Sequence, residues 1–323
     1  MANSPSPALV TVDRIRRAPI LGPGAHGQPM GLTLFGSGPL GQVRAADCLR
    51  LVGEHGLLVL RGFDACATGF AALGQDLFQR SFVHHNTGRR LLSEASSLHL
   101  LPADGSHRLA HIERGYAPAI PDLIAFYCQA PAKTGGLTTF HDGAEVFALL
   151  DSPARGFFES HRMRWRLRIR RPLWHRVFGL RSQDQVRAFC EQHLRQLVDI
   201  DAGERVSYDF DGTDLLTDFL TPSVRRRARD GKMVFANGGL AYLQAIQEGN
   251  AIPGMLTMEN GASFPQSVLE EGMLASQRCA VALALQEGDC ALVDNLSLLH
   301  GRTAFTDPER KMLVRFGQRF PNQ

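Results

Sequence analysis

His111 and Glu113 stand two positions apart in LAHIERGYAP, residues 109 to 118. On a strand, residues at that spacing point to the same side, so an imidazole and a carboxylate would converge on one point. Such a pair supplies part of a ferrous site of the two-histidine, one-carboxylate type, whose remaining ligand must come from elsewhere in the fold. Any alternating strand offers the same spacing on its wet face, and with 12 histidines in the chain a spare one proves little. The pair alone leaves metal ligation and a solvated strand face both open.

A second stretch, EGDCALVDNLSLLHGRTAFTDPERKMLVRFGQR (287–319), carries the residues that bear on that choice. The turn at Glu287-Gly288-Asp289 launches an apolar strand, Asp294-Asn295 interrupts it, and His300-Gly301-Arg302 ends the next run. Lys311 and Arg315 are four apart and share a strand face, where a guanidinium fork can grip a carboxylate bidentately. Near the middle, APAKTGGLTTFHD places Thr138 after a Gly-Gly turn.

Other motifs suggest different chemistry. GSGPLG (36–41) matches G-x-G-x-x-G after the strand-like LTLF and before a helix, the setting of a dinucleotide loop. Against that, Pro39 sits in the loop, Arg61 rather than an acidic residue ends the next strand, and GPGAHG (22–27) matches the same string with no strand before it. RMRWRLRIRR alternates Arg164, Arg166, Arg168 and Arg170 with Trp165, Leu167 and Ile169, a half-buried strand whose outer face is basic. That face is a solvated surface or a docking patch for an acidic partner. His84, His85 and His141 read as surface or loop residues, the first two near a substrate.

Elements must bring these residues together. VRAADCLRLVGEHG reads as a helix stopped by Gly56 and followed by the strand LLVL. FAALGQDLFQ has Phe70, Leu73, Leu77 and Phe78 at helical spacing. DGAEVFALL opens with an Asp142/Glu145 capping box, and SQDQVRAFCEQHLRQL is amphipathic. Residues 100–140 and the last 90 alternate short strands with turns. The pattern predicts residues 1–30 as a poorly packed segment and 31–323 as one mainly β domain with a helical insert at about 142–230.

Composition narrows the class. The 323 residues are 44% hydrophobic and 21% charged, with net charge +3, too mild to imply nucleic acid. The longest apolar run, Cys279–Leu285, is far too short for a membrane span, and the proline-broken N-terminus does not read as a signal peptide. Six scattered cysteines without a CxxC fit reduced thiols in a cytoplasm.

Taken together, HGLLVLRGF, HIERGYAP, APAKTGGLTTFHD, YDFDGTDLLTDFLTPSV, GKMVFANG and DNLSLLHGR resemble, in order and spacing, the Fe(II)/2-oxoglutarate dioxygenases of the taurine dioxygenase and clavaminate synthase-like superfamily. The resemblance covers most of the chain. It implies a double-stranded β-helix (jelly roll) core with flanking and inserted helices, and an iron triad of His111, Glu113 and His300. Three ligands leave positions for a bidentate 2-oxo acid and dioxygen. The resemblance gives Thr138 to the distal carboxylate of 2-oxoglutarate, with Arg315 first and Lys311 second as its basic clamp; Arg302 is structural. With Glu113 in the ligand position that halogenases leave small, hydroxylation, desaturation or cyclisation is expected, with succinate and CO2 released. The implied substrate is a small amino-acid-like molecule, free or presented by a carrier protein. Asn86, Glu94, Ser96, Ser97 and Asn237 are its candidate contacts. The competing readings are an NAD(P)-binding oxidoreductase using GSGPLG and a non-catalytic binding module using the arginine strand.

Overall fold

The computed structural model describes residues 15–22, 29–83, 89–200 and 202–319. Its frame is a nine-stranded sheet. From one edge it runs β1 (Arg16–Leu21), β2 (Pro29–Phe35), β3 (Leu57–Arg61), β17 (Cys290–Asp294), β8 (Leu123–Ala130), β19 (Lys311–Arg319), β6 (Leu98–Leu100) and β5 (Arg90–Ser93), with β4 (Phe78–Ser81) also paired to β19. Among the described strands, β2 and β3 alone pair in parallel. A smaller sheet runs β16 (Val281–Leu283), β9 (Thr138–Asp142), β18 (Leu298–Arg302) and β7 (Arg108–His111).

One apolar cluster joins the two sheets, with Val59, Ile124, Val293, Val314 and Phe316 from the larger and Phe140 and Leu298 from the smaller. The opposite faces are covered too. Helices α1 (Ala45–His55) and α2 (Ala67–Leu77) pack on the larger sheet. Helices α3 (Gly143–Leu149), α7 (Gly239–Gln247) and α8 (Gln266–Arg278) share a core with Ala110, Ile112 and Leu299 of the smaller sheet's side. Coverage on both faces is why CALVD and LLHGR are buried throughout instead of alternating with polar residues.

The helix stops are those the sequence signals. Gly56 caps α1 at φ 83°, a conformation that costs a residue with a Cβ. Ser182 and Gln185 form a reciprocal capping box at the start of α6 (Gln183–His193). Asp142 caps α3 by accepting from the Ala144 N–H, in place of the expected reciprocal box with Glu145. Beyond these, α4 (Ser152–Ser160) and α5 (Trp174–Phe178) lie in the expected helical insert.

Two regions differ from the sequence expectation. Within the segment expected to pack poorly, residues 16–21 form β1, paired along its length with β2, with Ile20 buried. The middle region is more than helical: β10 (Arg162–Ile169), β11 (Arg205–Asp211) and β12 (Asp214–Pro222), joined by β15 (Leu256–Met258), make a four-stranded sheet. The cause is local. The arginine strand needs a partner for its buried Met163 and Trp165, and the DGTD hairpin, with Gly212 at φ 59°, folds β11 and β12 into one. A short hairpin, β13 (Arg225–Arg226) with β14 (Met233–Val234), completes the strands.

The fold is thus mixed α and β, mainly β. Among the described residues, no helix is long and apolar enough to cross a membrane. All six cysteines are free and five are buried.

Candidate metal and co-substrate site

β7 and β18 place two histidines face to face. His111 and His300 are register partners across the strand pair, and their ring centroids lie 4.4 Å apart. The edge of the Phe126 ring on β8 closes on His300 at 5.3 Å. Two positions past His111, Glu113 is buried at 4% exposure, and its carboxylate accepts from Arg89 at 2.7 Å. Its backbone is pinned by Asn295, whose amide oxygen accepts the Glu113 N–H at 2.7 Å and whose amide nitrogen donates to the carbonyls of Glu113 and Pro121. Arg114 then turns the chain at φ 56°.

Arg89, His111, Glu113, Arg114, Phe126 and His300 line one cavity of about 340 Å³. Its apolar walls include Leu101, Phe126 and Met312, and Gln244 of α7 and Glu248 at that helix's C-cap also line it. Gln244 stitches that helix to the strand edge, accepting from the Leu109 N–H and donating to the His107 carbonyl. Thr138 of β9 is buried in the same wall, directly across from Arg302 in register.

Three features test whether the donors suit a metal ion. His111 Nδ1 lies 2.8 Å from the Leu109 carbonyl, which can only accept, so Nδ1 carries the proton and Nε2 keeps its lone pair. Burial pushes His111 below the ordinary histidine range and His300 well below it, so both rings are neutral as ligands must be. His300 Nδ1 is buried without a hydrogen-bond partner. Two neutral imidazoles and a carboxylate therefore fit a ferrous ion. With the Glu113 carboxylate engaged by Arg89, no three His, Cys, Asp or Glu among the described residues stand arranged as a metal-holding group.

Of the two basic residues expected at the co-substrate, neither reaches the cavity. On β19 the even positions Met312, Val314 and Phe316 face the space between the sheets, while Leu313 faces α1 and α2. Arg315 shares the Leu313 side. It donates to the Ala71 carbonyl at 2.6 Å and to Ser81 Oγ at 3.1 Å, with Gly74 of α2 leaving room for its guanidinium. Lys311, on the same side, is exposed.

Arg310 takes the inward parity instead. It lines the cavity, is buried at 6% exposure, and stands 5.1 Å from the Phe305 ring. Burial, with Arg302 nearby, lowers it to about 10, so it stays charged near neutrality. Arg302 is held by Asp104 at 2.5 Å and by the Ser106 and Pro102 carbonyls, which fixes the 102–106 loop.

The expected substrate contacts are dispersed. Ser96 and Ser97 are buried in the turn between β5 and β6, Glu94 is exposed there, and none of them lines the cavity. Asn237 is buried at the start of α7, donating to the Ser223 carbonyl and accepting from the Gly239 N–H. Asn86, His84 and His85 lie outside the described residues. His141 is not a loop residue. It is buried on β9, bonded to the Ser276 carbonyl and Thr139, because β9 is covered on both faces.

Sequence reasoning missed Arg310, Arg89 and Asn295. Arg310 adjoins Lys311 in the same motif, and the polar Asn295 interrupting an apolar run was a visible cue. Arg89 gave none.

A family model described as "Taurine catabolism dioxygenase TauD, TfdA family" matches residues 18–316. The chain belongs to this dioxygenase family. It is 24% identical over 214 residues to a clavaminate synthase-like protein of Arabidopsis thaliana, and 22% identical over 219 residues to the dapdiamide synthesis protein DdaC of Enterobacter agglomerans. Each match covers 63% of this chain, which spans 63% of the length of each relative. Among solved structures, it superposes on PvcB from Pseudomonas aeruginosa with a TM-score of 0.57 at 18% identity, covering 95% of this chain and 94% of that one. The complex of AAD-2 with Mn(II) and N-oxalylglycine gives a TM-score of 0.59 at 13% identity, covering 95% and 98%.

The other motifs in this TauD/TfdA-family chain have packing explanations. In GSGPLG, a Cβ on Gly36 would come within 2.1 Å of the Phe63 ring, and Arg61 after it forks onto Asp289 at 2.6–3.1 Å. The arginine strand is paired across the sheet: Arg164 and Arg166 with Asp218, Arg168 with Asp211 and Asp214, and Arg162 with Glu259.

Proposed function

We propose that the protein is a non-haem Fe(II)/2-oxoglutarate-dependent oxygenase of the cytoplasm, hydroxylating, or otherwise oxidising by C–H abstraction, a small amino-acid-like substrate. The two joined sheets are read as the halves of a double-stranded jelly roll. On this reading the described residues from β1 onward form a single domain, carrying an insert at about 142–230. His111, Glu113 and His300 are the iron ligands. The observation that carries the proposal is the registered His111–His300 pair in one cavity with Glu113, Thr138 and Arg310.

His111, Glu113 and His300 would hold the iron, which when bound would supply activation of dioxygen coupled to oxidative decarboxylation of 2-oxoglutarate to succinate and CO2. The chain supplies everything else. His111 offers Nε2 because its other nitrogen is committed to Leu109, and Glu113 contributes the single negative charge once it leaves Arg89. Arg310, with Thr138 as a hydroxyl donor, is assigned the distal carboxylate of 2-oxoglutarate, the role first expected of Arg315 and Lys311. Its fork suits a carboxylate, and no acidic side chain is bonded to it among the described residues. The walls at Leu101, Phe126 and Met312 keep water from the reacting carbon.

Anaerobic addition of Fe(II) and then 2-oxoglutarate to apo-protein tests this. The expected result is the weak visible charge-transfer band of chelated iron, lost in His300→Ala and Glu113→Ala. Absence of the band in wild type, or its survival in both variants, overturns the proposal.

A further inference from the structure

We infer that Arg89 recognises a free carboxylate on the substrate, so that the enzyme acts on a small free acid and not on a thioester held by a carrier protein; this rests on the oxygenase reading above. Arg89 projects into the cavity wall with its side chain 12% exposed and its guanidinium 5.5 Å from the Phe316 ring. Nη2 donates to Glu113 at 2.7 Å, whereas Nη1 is buried with no hydrogen-bond partner. A guanidinium presents its donors as a rigid fork, and a desolvated charged donor without an acceptor is costly. The arrangement points to an acceptor that arrives with a ligand.

Of the neighbouring cations, Arg108 pairs with Asp104 and Glu248 and Arg302 with Asp104 and two carbonyls, while Arg114 donates to the Pro118 carbonyl and stands 5.6 Å from the Phe82 ring, its Nε also buried without a hydrogen-bond partner. Arg310 is assigned to the co-substrate. When Glu113 is drawn to a divalent cation, Arg89 loses its counter-charge. An incoming carboxylate restores it and can accept from both arms of the fork. A thioester carbonyl can accept a hydrogen bond but is neutral and restores no counter-charge. The arginine strand points the same way, since Asp211, Asp214, Asp218 and Glu259 pair with Arg162, Arg164, Arg166 and Arg168 and offset most of the basic charge that an acidic carrier would need.

The test needs no turnover. Mn(II)-saturated protein is titrated first with 2-oxoglutarate, then with the common free amino acids, their primary amides and their N-acetylcysteamine thioesters, and binding is read by calorimetry. At least one acid is expected to bind about tenfold or more tightly than its amide and thioester, and Arg89→Gln to lose about tenfold or more for that acid while holding 2-oxoglutarate within about threefold. Equal binding of acid and thioester, undiminished acid binding by Arg89→Gln, or no acid bound overturns the inference. Failure of wild type to bind 2-oxoglutarate, seen before any acid is added, overturns the oxygenase reading with it.

Discussion

His111 and His300 meet because β7 and β18 hold them in register, ring centroids 4.4 Å apart, and because the residue after His300 has no side chain. A Cβ on Gly301 would lie 2.6 Å from the Arg108 carbonyl oxygen and 2.8 Å from Thr139 Oγ1. The first of these is backbone, so β18 could not keep its distance from β7. Gly301→Ala is therefore expected to cost about 1–3 kcal/mol of stability and to weaken Mn(II) binding as the rings separate. Denaturant unfolding and metal titration check both, and wild-type values in each would refute the close-approach argument.

Arg310 and Arg315 differ in parity, and the two should part in experiment. Arg310→Met is expected to raise the Kd for 2-oxoglutarate by about tenfold or more, because a charged fork in a buried wall is lost. Arg315→Met removes bonds to Ala71 and Ser81 instead, and should cost about 1–3 kcal/mol of stability with co-substrate affinity little changed. The reverse pattern would return the clamp to Arg315.

That parity also shows where sequence reading runs out. β19 is covered on both faces, so Met312, Val314 and Phe316 look no different in sequence from Leu313, and nothing in KMLVRFGQR says which side is inward. The general shape was easier to see: Gly56 ended a helix by local backbone chemistry, and the alternating arginine strand announced β10. His111 and Glu113 stood out by residue type and spacing and Thr138 by the family resemblance, and the structure brings them to one cavity. Arg89 did not, because its meeting with Glu113 depends on how the chain around β5 and β7 packs, which carries no periodic signature.

Asn295 should matter more than a polar residue in a turn ordinarily does. It is wholly buried and bridges Glu113 to Pro121 through both ends of its amide. Asn295→Ala leaves an N–H and two carbonyls short of partners, a loss of about 2–4 kcal/mol. Asn295→Asp should be worse above neutrality, since a carboxylate set against the Glu113 and Pro121 carbonyls replaces two attractions with repulsions. Unfolding at pH 8 ranks the three proteins, and an aspartate variant as stable as wild type would contradict the assigned amide orientation.

Asp122 predicts a pH dependence of the opposite sign to the usual carboxylate. Burial raises it from 3.8 to about 6, although the Arg319 N–H donates to it at 2.7 Å and the Arg319 side chain stands nearby. A raised carboxyl binds its proton more tightly folded than unfolded. Its contribution to stability is therefore favourable at low pH and fades as pH climbs from about 4 to about 6, where the charged form must be held in a poorly solvated position. A shift of about two units corresponds to at most about 3 kcal/mol, reduced by the site's partial exposure. Asp122→Asn keeps the acceptor for the Arg319 N–H and removes the charge. It should therefore match wild type near pH 4 and exceed it by about 1–3 kcal/mol at pH 7 to 8. Denaturant unfolding at intervals across that range checks the trend. A variant less stable than wild type at pH 8 would mean that the Arg319 ion pair outweighs the cost of burial.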